Sequence, residues 1–165
     1  MWLLPPKPEV LNRAGSFYQE VLHHPDWVAE PKRDGYRCLM WLDPTGAKAF
    51  TRRGAHLLPA TKALSGATHP ERVVLDGEWF KGEYWVFDIP YAKGCLRERH
   101  TRLVPLVSRL AEKFPIALVE RWEKASAFAK AMSQGLEGIV LKHHDHHYHF
   151  SHSQRTTPLW LKVKS

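Results

Sequence analysis

The chain has 165 residues, enough for one domain with a real core and short for two. Its 44% hydrophobic content and seven tryptophans exclude a disordered polymer, and no run approaches the length of a membrane span. Lysine and arginine outnumber aspartate and glutamate, 24 against 17, a balance that suits a polyanionic partner such as nucleic acid.

Taken in chain order, residues 1–15 carry Pro5, Pro6, Pro8 and Gly15 and predict an extended lead. Ser16 caps a short helix through Phe17, Val21 and Leu22, closed by Pro25, so residues 1–26 form a lead plus helix. From Val28 to Arg53 the pattern is strand, strand, strand, with Tyr36–Leu42 and Ala47–Thr51 joined by the turn Asp43-Pro44-Thr45-Gly46. A helix near Pro59–Leu64 precedes a second hairpin, Arg72–Phe80 and Tyr84–Ile89, around Lys81-Gly82-Glu83. Leu103, Leu106, Val107 and Leu110 form a helical stripe, and Pro105 places the start of the regular helix near Val104. A strand at Ile116–Glu120, a helix at Glu123–Ser133 stopped by Gly135, and strands at Glu137–Lys142 and Pro158–Lys164 complete the order. The expected architecture is one α+β domain over residues 1–165, with antiparallel β-sheets flanked by helices.

Cys38 and Cys95 form no CxxC pair, so reduced thiols and a cytoplasmic setting are expected. Met1-Trp2-Leu3-Leu4 is cut off by Pro5-Pro6 before it reaches the length of a signal core, and no membrane association is expected. The segment 143–152 holds His143, His144, His146, His147, His149 and His152. Closely spaced imidazoles suit zinc, but structural zinc usually recruits cysteine and none is nearby, which favours a solvated loop between strands.

Charged signatures sit at the edges of the apolar runs. They are Glu30-Pro31-Lys32-Arg33-Asp34-Gly35-Tyr36-Arg37, Leu75-Asp76-Gly77-Glu78, Val86-Phe87-Asp88, Glu137-Gly138-Ile139-Val140-Leu141-Lys142 and Trp160-Leu161-Lys162-Val163-Lys164. In this order they resemble the nucleotidyltransferase (adenylation) domain of ATP-dependent DNA ligases, from about Trp27 to Lys164. The resemblance implies a ligase-type, ATP-grasp-like domain that uses ATP with Mg²⁺ or Mn²⁺, forms a lysyl-AMP intermediate and seals nicked duplex DNA, as a monomer.

By that resemblance Lys32 is the nucleophile. A free lysine amine is protonated at neutral pH and reaching its neutral, nucleophilic form costs roughly 4–5 kcal/mol, so nearby positive charge from Lys142, Lys162 and Lys164 is expected to help. The resemblance assigns Glu30 to the adenine edge, Arg37 to the sugar, Glu78 to the ribose and Glu137 to the metal. Phe87 corresponds to the aromatic that stacks on the purine, although Tyr84-Trp85-Val86-Phe87 also reads as a core strand. Lys162 and Lys164 alternate with apolar residues, so one strand face carries both toward the α-phosphate, with Lys142 beside them. Thr51-Arg52-Arg53-Gly54 resembles the segment whose arginine contacts a 5′-phosphate, which makes Arg52 and Arg53 candidate DNA contacts. Leu96-Arg97-Glu98-Arg99 resembles the basic segment after the stacking aromatic and receives no role.

DNA ligases of this kind carry an OB-fold after the last of these lysines, whereas this sequence stops at Ser165. A separate OB-fold or DNA-clamping partner, and slow self-adenylylation, are the corresponding expectations. RNA ligases, GTP-using capping enzymes and a non-catalytic nucleotide- or nucleic-acid-binding module share parts of the pattern. Retention of Lys32, Glu78, Glu137, Lys162 and Lys164 together favours an enzyme over the binding module, since binding alone needs no nucleophile.

Overall fold

Alternation along the central strands decides which way each sheet faces. The computed structural model describes residues 2–90 and 92–165. The elements run β1 (Lys7–Val10), α1 (Ser16–His23), β2 (Trp27–Lys32), β3 (Tyr36–Asp43), β4 (Gly46–Thr51), α2 (Leu58–Ala63), β5 (Val73–Phe80) and β6 (Glu83–Asp88). They continue with α3 (Leu96–Ala111), β7 (Ile116–Leu118), α4 (Lys124–Ser133), β8 (Gly138–His143) and β9 (Thr156–Lys164). One sheet has the order β1-β9-β8-β2 and the other β4-β3-β5-β6-β7. The pairings are antiparallel except at two edges, where β1 lies parallel to β9 and β6 parallel to β7. This is the expected α+β architecture of antiparallel-rich sheets with flanking helices.

Each sheet buries one face under its own helices. Ala29, Ile139, Leu141, Leu161 and Val163 pack against Tyr18 and Val21 of α1 and Ala127, Phe128 and Ala131 of α4. Cys38, Met40, Leu42, Leu75, Tyr84 and Val86 pack against Ala60 of α2 and Leu103, Leu106, Val107 and Leu110 of α3. Because side chains alternate along a strand, the intervening residues Glu30, Lys32, Val140, Lys142, Trp160, Lys162, Trp85 and Phe87 project from the other faces, where they line a common cavity.

Three local features depart from expectation. Part of the extended lead is the edge strand β1, strapped to β9 through Lys7↔Thr156 and Pro8↔Thr157. Met1, at its head, lies outside the described residues. Helix α3 begins at Leu96 rather than near Val104, with Pro105 in its interior. Its start is fixed by a capping box between Cys95 and Glu98, and Pro105 sits on the exposed side, where the carbonyl left without a partner is open to solvent. The histidine-rich loop is only partly solvated, because His146 is 3% exposed and packed against Trp160 with ring centroids 4.6 Å apart.

A buried ion pair anchors α3 and this loop. Arg99 donates from Nε and Nη2 to the two Asp88 carboxylate oxygens at 2.8 and 3.0 Å, and both residues are essentially inaccessible. Its Nη1 donates to the carbonyls of Gly94 and His146 at 3.0 and 2.7 Å. Arg99 Nη2 also approaches His146 Nδ1 at 3.0 Å; a guanidinium only donates, so this nitrogen accepts and the proton rests on Nε2. Burial, with Arg99 alongside, pushes the His146 imidazole down to about 3, which keeps it neutral.

Replacing Arg99 with alanine leaves Asp88 buried without its counter-ion. Arg99→Ala is expected to destabilise the fold by about 3–5 kcal/mol in urea unfolding, whereas Arg99→Met combined with Asp88→Leu should cost much less. Equal losses in the single and double variants would show that the pair is not the anchor.

Candidate nucleotide site

The cavity between the sheets has a volume of about 480 Å³. Glu30, Lys32, Arg37, Arg52, Arg53, Glu78, Phe87, Glu137, Lys142 and Lys162 all line it, drawn from both sheets and the turn after β4. Lys164 stands just beyond the wall and reaches in through Glu137. Sequence positions more than a hundred apart thus converge because β2, β8 and β9 lie side by side, with Lys32↔Gly138 and Gly138↔Lys164 as register partners. Gly138 is required there, since a Cβ would lie 2.0 Å from the Val163 carbonyl oxygen.

Glu137 is held between two ammonium groups. Its Oε2 accepts from Lys32 Nζ at 2.6 Å and its Oε1 lies 2.5 Å from Lys164 Nζ. Burial pushes its carboxyl up, but Lys164 and Lys32 outweigh that and hold it below the usual range. Deeper in the cavity Glu30 Oε1 binds Lys142 Nζ at 2.7 Å, and both side chains are nearly inaccessible. Arg121 stands 3.6 Å from the other Glu30 oxygen. Of the lysines expected to bring positive charge near Lys32, Lys142 and Lys164 each face a carboxylate, while Lys162 lines the same cavity.

Arg37 lies beside Phe87. It donates from Nε and Nη2 to Asp76 at 2.8 and 2.6 Å and from Nη1 to the Pro6 carbonyl at 2.9 Å. Burial works against its charge, but Asp76 more than compensates and keeps the guanidinium firmly protonated. Tyr148 donates to the same aspartate at 2.5 Å. Phe87 is not a core residue. The register jumps from Asp76↔Asp88 to Gly77↔Val86, so Phe87 is the extra residue of a β-bulge, and it keeps the parity of Trp85, which points it into the cavity. Lys142 Nζ sits 3.9 Å above its ring and Trp160 meets its edge at 6.0 Å.

Glu78 is half-buried in the same wall. Burial pushes its carboxyl up to about 7, with Lys32 and Arg37 opposing and Asp76 reinforcing the rise. Arg33 stacks on Trp85 with its guanidinium 3.6 Å from the ring centroid and is fixed by Glu120 at 3.0 and 3.1 Å. Arg52 and Arg53 occupy a turn that ends in Gly54, whose φ of +90° favours glycine.

Sequence reading missed Asp76, Tyr148, Arg33, Trp85, Trp160 and Lys7 as parts of the site. Trp85 and Trp160 were accessible to it, since each shares strand parity with a chosen residue, Phe87 and Lys162. For a metal, Glu137 is a hard oxygen donor. Among the described residues no three His, Cys, Asp or Glu side chains gather, in the histidine loop or elsewhere. That donor set fits Mg²⁺ only jointly with the phosphates of a nucleotide, which is how Mg²⁺ is commonly held.

No protein-family model matches the chain. The multifunctional non-homologous end joining DNA repair protein LigD of Mycobacterium tuberculosis H37Rv is 28% identical over 84% of this chain and 21% of that protein. The multifunctional non-homologous end joining protein LigD of Pseudomonas aeruginosa is 30% identical over 84% of this chain and 20% of its own length. The chain thus spans about a fifth of the length of these relatives. Among solved structures, a mycobacterial DNA ligase D complexed with ATP matches with a TM-score of 0.67 at 24% identity, over 98% of this chain and 60% of that one. Chlorella virus DNA ligase-adenylate matches with a TM-score of 0.70 at 17% identity, over 98% and 67%. With two sheets enclosing a lysine-bearing cavity and sequence kinship to LigD, the chain is homologous to LigD and has the fold of the nucleotidyltransferase domains of ATP-dependent DNA ligases.

Proposed function

We propose that the domain takes AMP from ATP onto Lys32 and passes it to the 5′-phosphate at a nick in duplex DNA. The observation that carries this reading is Lys32 set in the cavity wall between both sheets, its amine fixed by Glu137 at 2.6 Å. The neutral Lys32 amine attacks the α-phosphorus, a P–N bond forms, and the α–β P–O bond breaks with its electron pair leaving on pyrophosphate. Glu137, held low by two lysines, is a poor base, so the Lys32 proton goes to solvent. Lys162 and Lys164 bring positive charge to the phosphate oxygens, where negative charge grows in the transition state. A 5′-phosphate oxygen then attacks the same phosphorus and releases the lysine, after which a 3′-hydroxyl displaces AMP.

In this reading the purine slides against Phe87, which strand alternation turns into the cavity, with Glu30 and Lys142 at its depth. Arg37 and Glu78 flank the sugar. Glu137 would hold a divalent cation together with the incoming phosphates, and such an ion supplies charge neutralisation to the triphosphate. The reading parallels the solved ligases, one of which is complexed with ATP. The LigD relatives are named for non-homologous end joining, which supports a role in DNA repair.

Incubation with α-labelled ATP is expected to give a protein-bound label that is acid-labile and base-stable. Lys32→Ala should abolish it while leaving the melting temperature within a few degrees, since a half-exposed lysine contributes little packing. Label retained on a folded Lys32→Ala protein would remove Lys32 from the chemistry.

Phe87→Ala should weaken ATP binding by about tenfold, the scale of one aromatic stack, beyond any effect on thermal stability. An affinity loss no larger than the stability loss would return Phe87 to a packing role.

Glu78 gives a pH test. Its folded pKa is raised, so between about 4.5 and 7 the folded protein binds more protons than the unfolded chain, and this group's contribution to stability falls as pH rises. His100, pushed down to about 4 by burial and Arg121, works in the opposite sense over an overlapping window. The readout is therefore the difference between wild type and Glu78→Gln, with the variant gaining relative stability as pH rises from 4.5 to 7. A pH-independent difference would contradict the assignment.

A further inference from the structure

Lys142 stands on the aromatic surface that a base would use. Its Nζ lies 3.9 Å from the centroid of the Phe87 ring, 4.8 Å from that of Trp160 and 2.7 Å from Glu30 Oε1. The Lys142 and Glu30 side chains are only 3% and 4% exposed. An ammonium set over two aromatic rings gains from their quadrupoles as well as from its counter-ion, and the gain grows away from water. One seat of the cavity is therefore already filled, by the protein's own cation.

The walls of that seat are held more firmly than its occupant. Trp160, the register partner of Lys142, is 1% exposed and meets Phe87 edge-on at 6.0 Å. His146 packs on it at 4.6 Å and Tyr148 at 5.8 Å, and these two are fixed in turn by Arg99 and Asp76. Glu30 lies within β2, paired with Val140, and Arg121 stands 3.6 Å from its second oxygen. Lys142 alone reaches the seat on a flexible four-carbon stem. When a ligand comes to this face of Phe87, the lysine is the part that yields.

We infer that Lys142 is a specificity-determining residue that competes with the base, its ammonium standing in for the exocyclic amine of an aminopurine while the cavity is free. Lys142 brings Glu30 an N–H donor and lies on the Phe87 ring; adenine brings the same two things, an amino group at its 6-position and a flat face. Hypoxanthine, with an oxygen acceptor in place of that amine, supplies the face without the donor. Displacing the lysine with it would leave the buried Glu30 carboxylate with Arg121 alone. Base binding is thus an exchange, and the apparent affinity falls with the fraction of protein whose seat is empty. The inference rests on the reading of the cavity as a nucleotide site, to which it adds an internal competitor.

The measurement is calorimetric titration of wild type, Lys142→Ala and Lys142→Arg with ATP and with adenosine and inosine, which carry no phosphate. Adenosine should bind Lys142→Ala about tenfold more tightly than wild type, the scale of one desolvated cation–π contact. Lys142→Arg, whose guanidinium suits the same ring and carboxylate, should bind adenosine no more tightly than wild type. Inosine should bind wild type about tenfold more weakly than adenosine. Adenosine affinity unchanged or reduced in folded Lys142→Ala overturns the proposal. A loss confined to ATP would then make Lys142 a phosphate contact, and a loss shared by adenosine a direct contact to the base. Equal affinity of wild type for inosine and adenosine overturns it as well. Should Lys142→Ala fail to fold, a crystal structure of wild type with adenosine decides. Lys142 Nζ displaced from the Phe87 ring is expected, whereas a base on the opposite face with the ammonium still in place ends the exchange. If ATP leaves no label on Lys32 yet adenosine binding tightens in Lys142→Ala, the adenylyltransfer reading fails and the competition stands.

Discussion

The bidentate contact between Arg37 and Asp76, on two neighbouring strands, gathers around it a loop and an N-terminal segment from distant parts of the chain. Asp76 on β5 receives Arg37 from β3 and the Tyr148 hydroxyl from the loop between β8 and β9, while Arg37 also holds the Pro6 carbonyl of the N-terminal segment. The pair itself lies within the five-stranded sheet, and its further bonds to the Pro6 carbonyl and the Tyr148 hydroxyl reach the segment before β1 and the β8–β9 loop of the other sheet. Displacing either would leave a buried charge with fewer partners, so these bonds help fix the spacing between two sheets whose facing sides mix charged residues with Trp85, Phe87, Val140 and Trp160. The pair's worth lies in fixing one geometry for the cavity more than in net stability.

The same logic recurs across β5 and β6. Asp76 and Asp88 are register partners, two buried acids side by side, and each is matched by its own arginine, Arg37 and Arg99. Arg99 in turn holds His146, and His146 packs on Trp160, so α3 is coupled through one loop to the strand that carries Lys162 and Lys164. The bulge at Phe87 falls between these two acid–arginine pairs. Strand alternation aims the aromatic into the cavity, and the irregularity at its position is braced on both sides.

What the sequence made legible was whatever obeys a local period. Strand alternation in Trp160–Lys164 and the apolar stripe of α3 follow from residues two, three or four apart, and the charged signatures at strand ends coincide with much of the cavity wall. What it hid was set at long range. Nothing near Asp76 announces that its partner is Arg37, 39 residues earlier, or that Tyr148, 72 residues later, completes its bonding. Lys7 sits in a proline-rich stretch that reads as a featureless lead, and becomes a cavity residue only because β1 docks on β9. Pro105 misled for a related reason. Propensity gives it a true local cost, but the capping box at Cys95 and the buried anchor of Arg99 lie upstream and outweigh it.

The pairing of β1 with β9 also constrains how the protein is made. The sheet carrying Lys32 contains strands from residues 7–10 and from residues 156–164, so its edge cannot close until nearly all of this sequence has left the ribosome. The five-stranded sheet uses only residues 36–118 and has no such delay. A nascent chain would hold one finished half and one open half, with Lys32 on a strand that still lacks its neighbours. The cavity, which needs both sheets, is therefore completed in one late event.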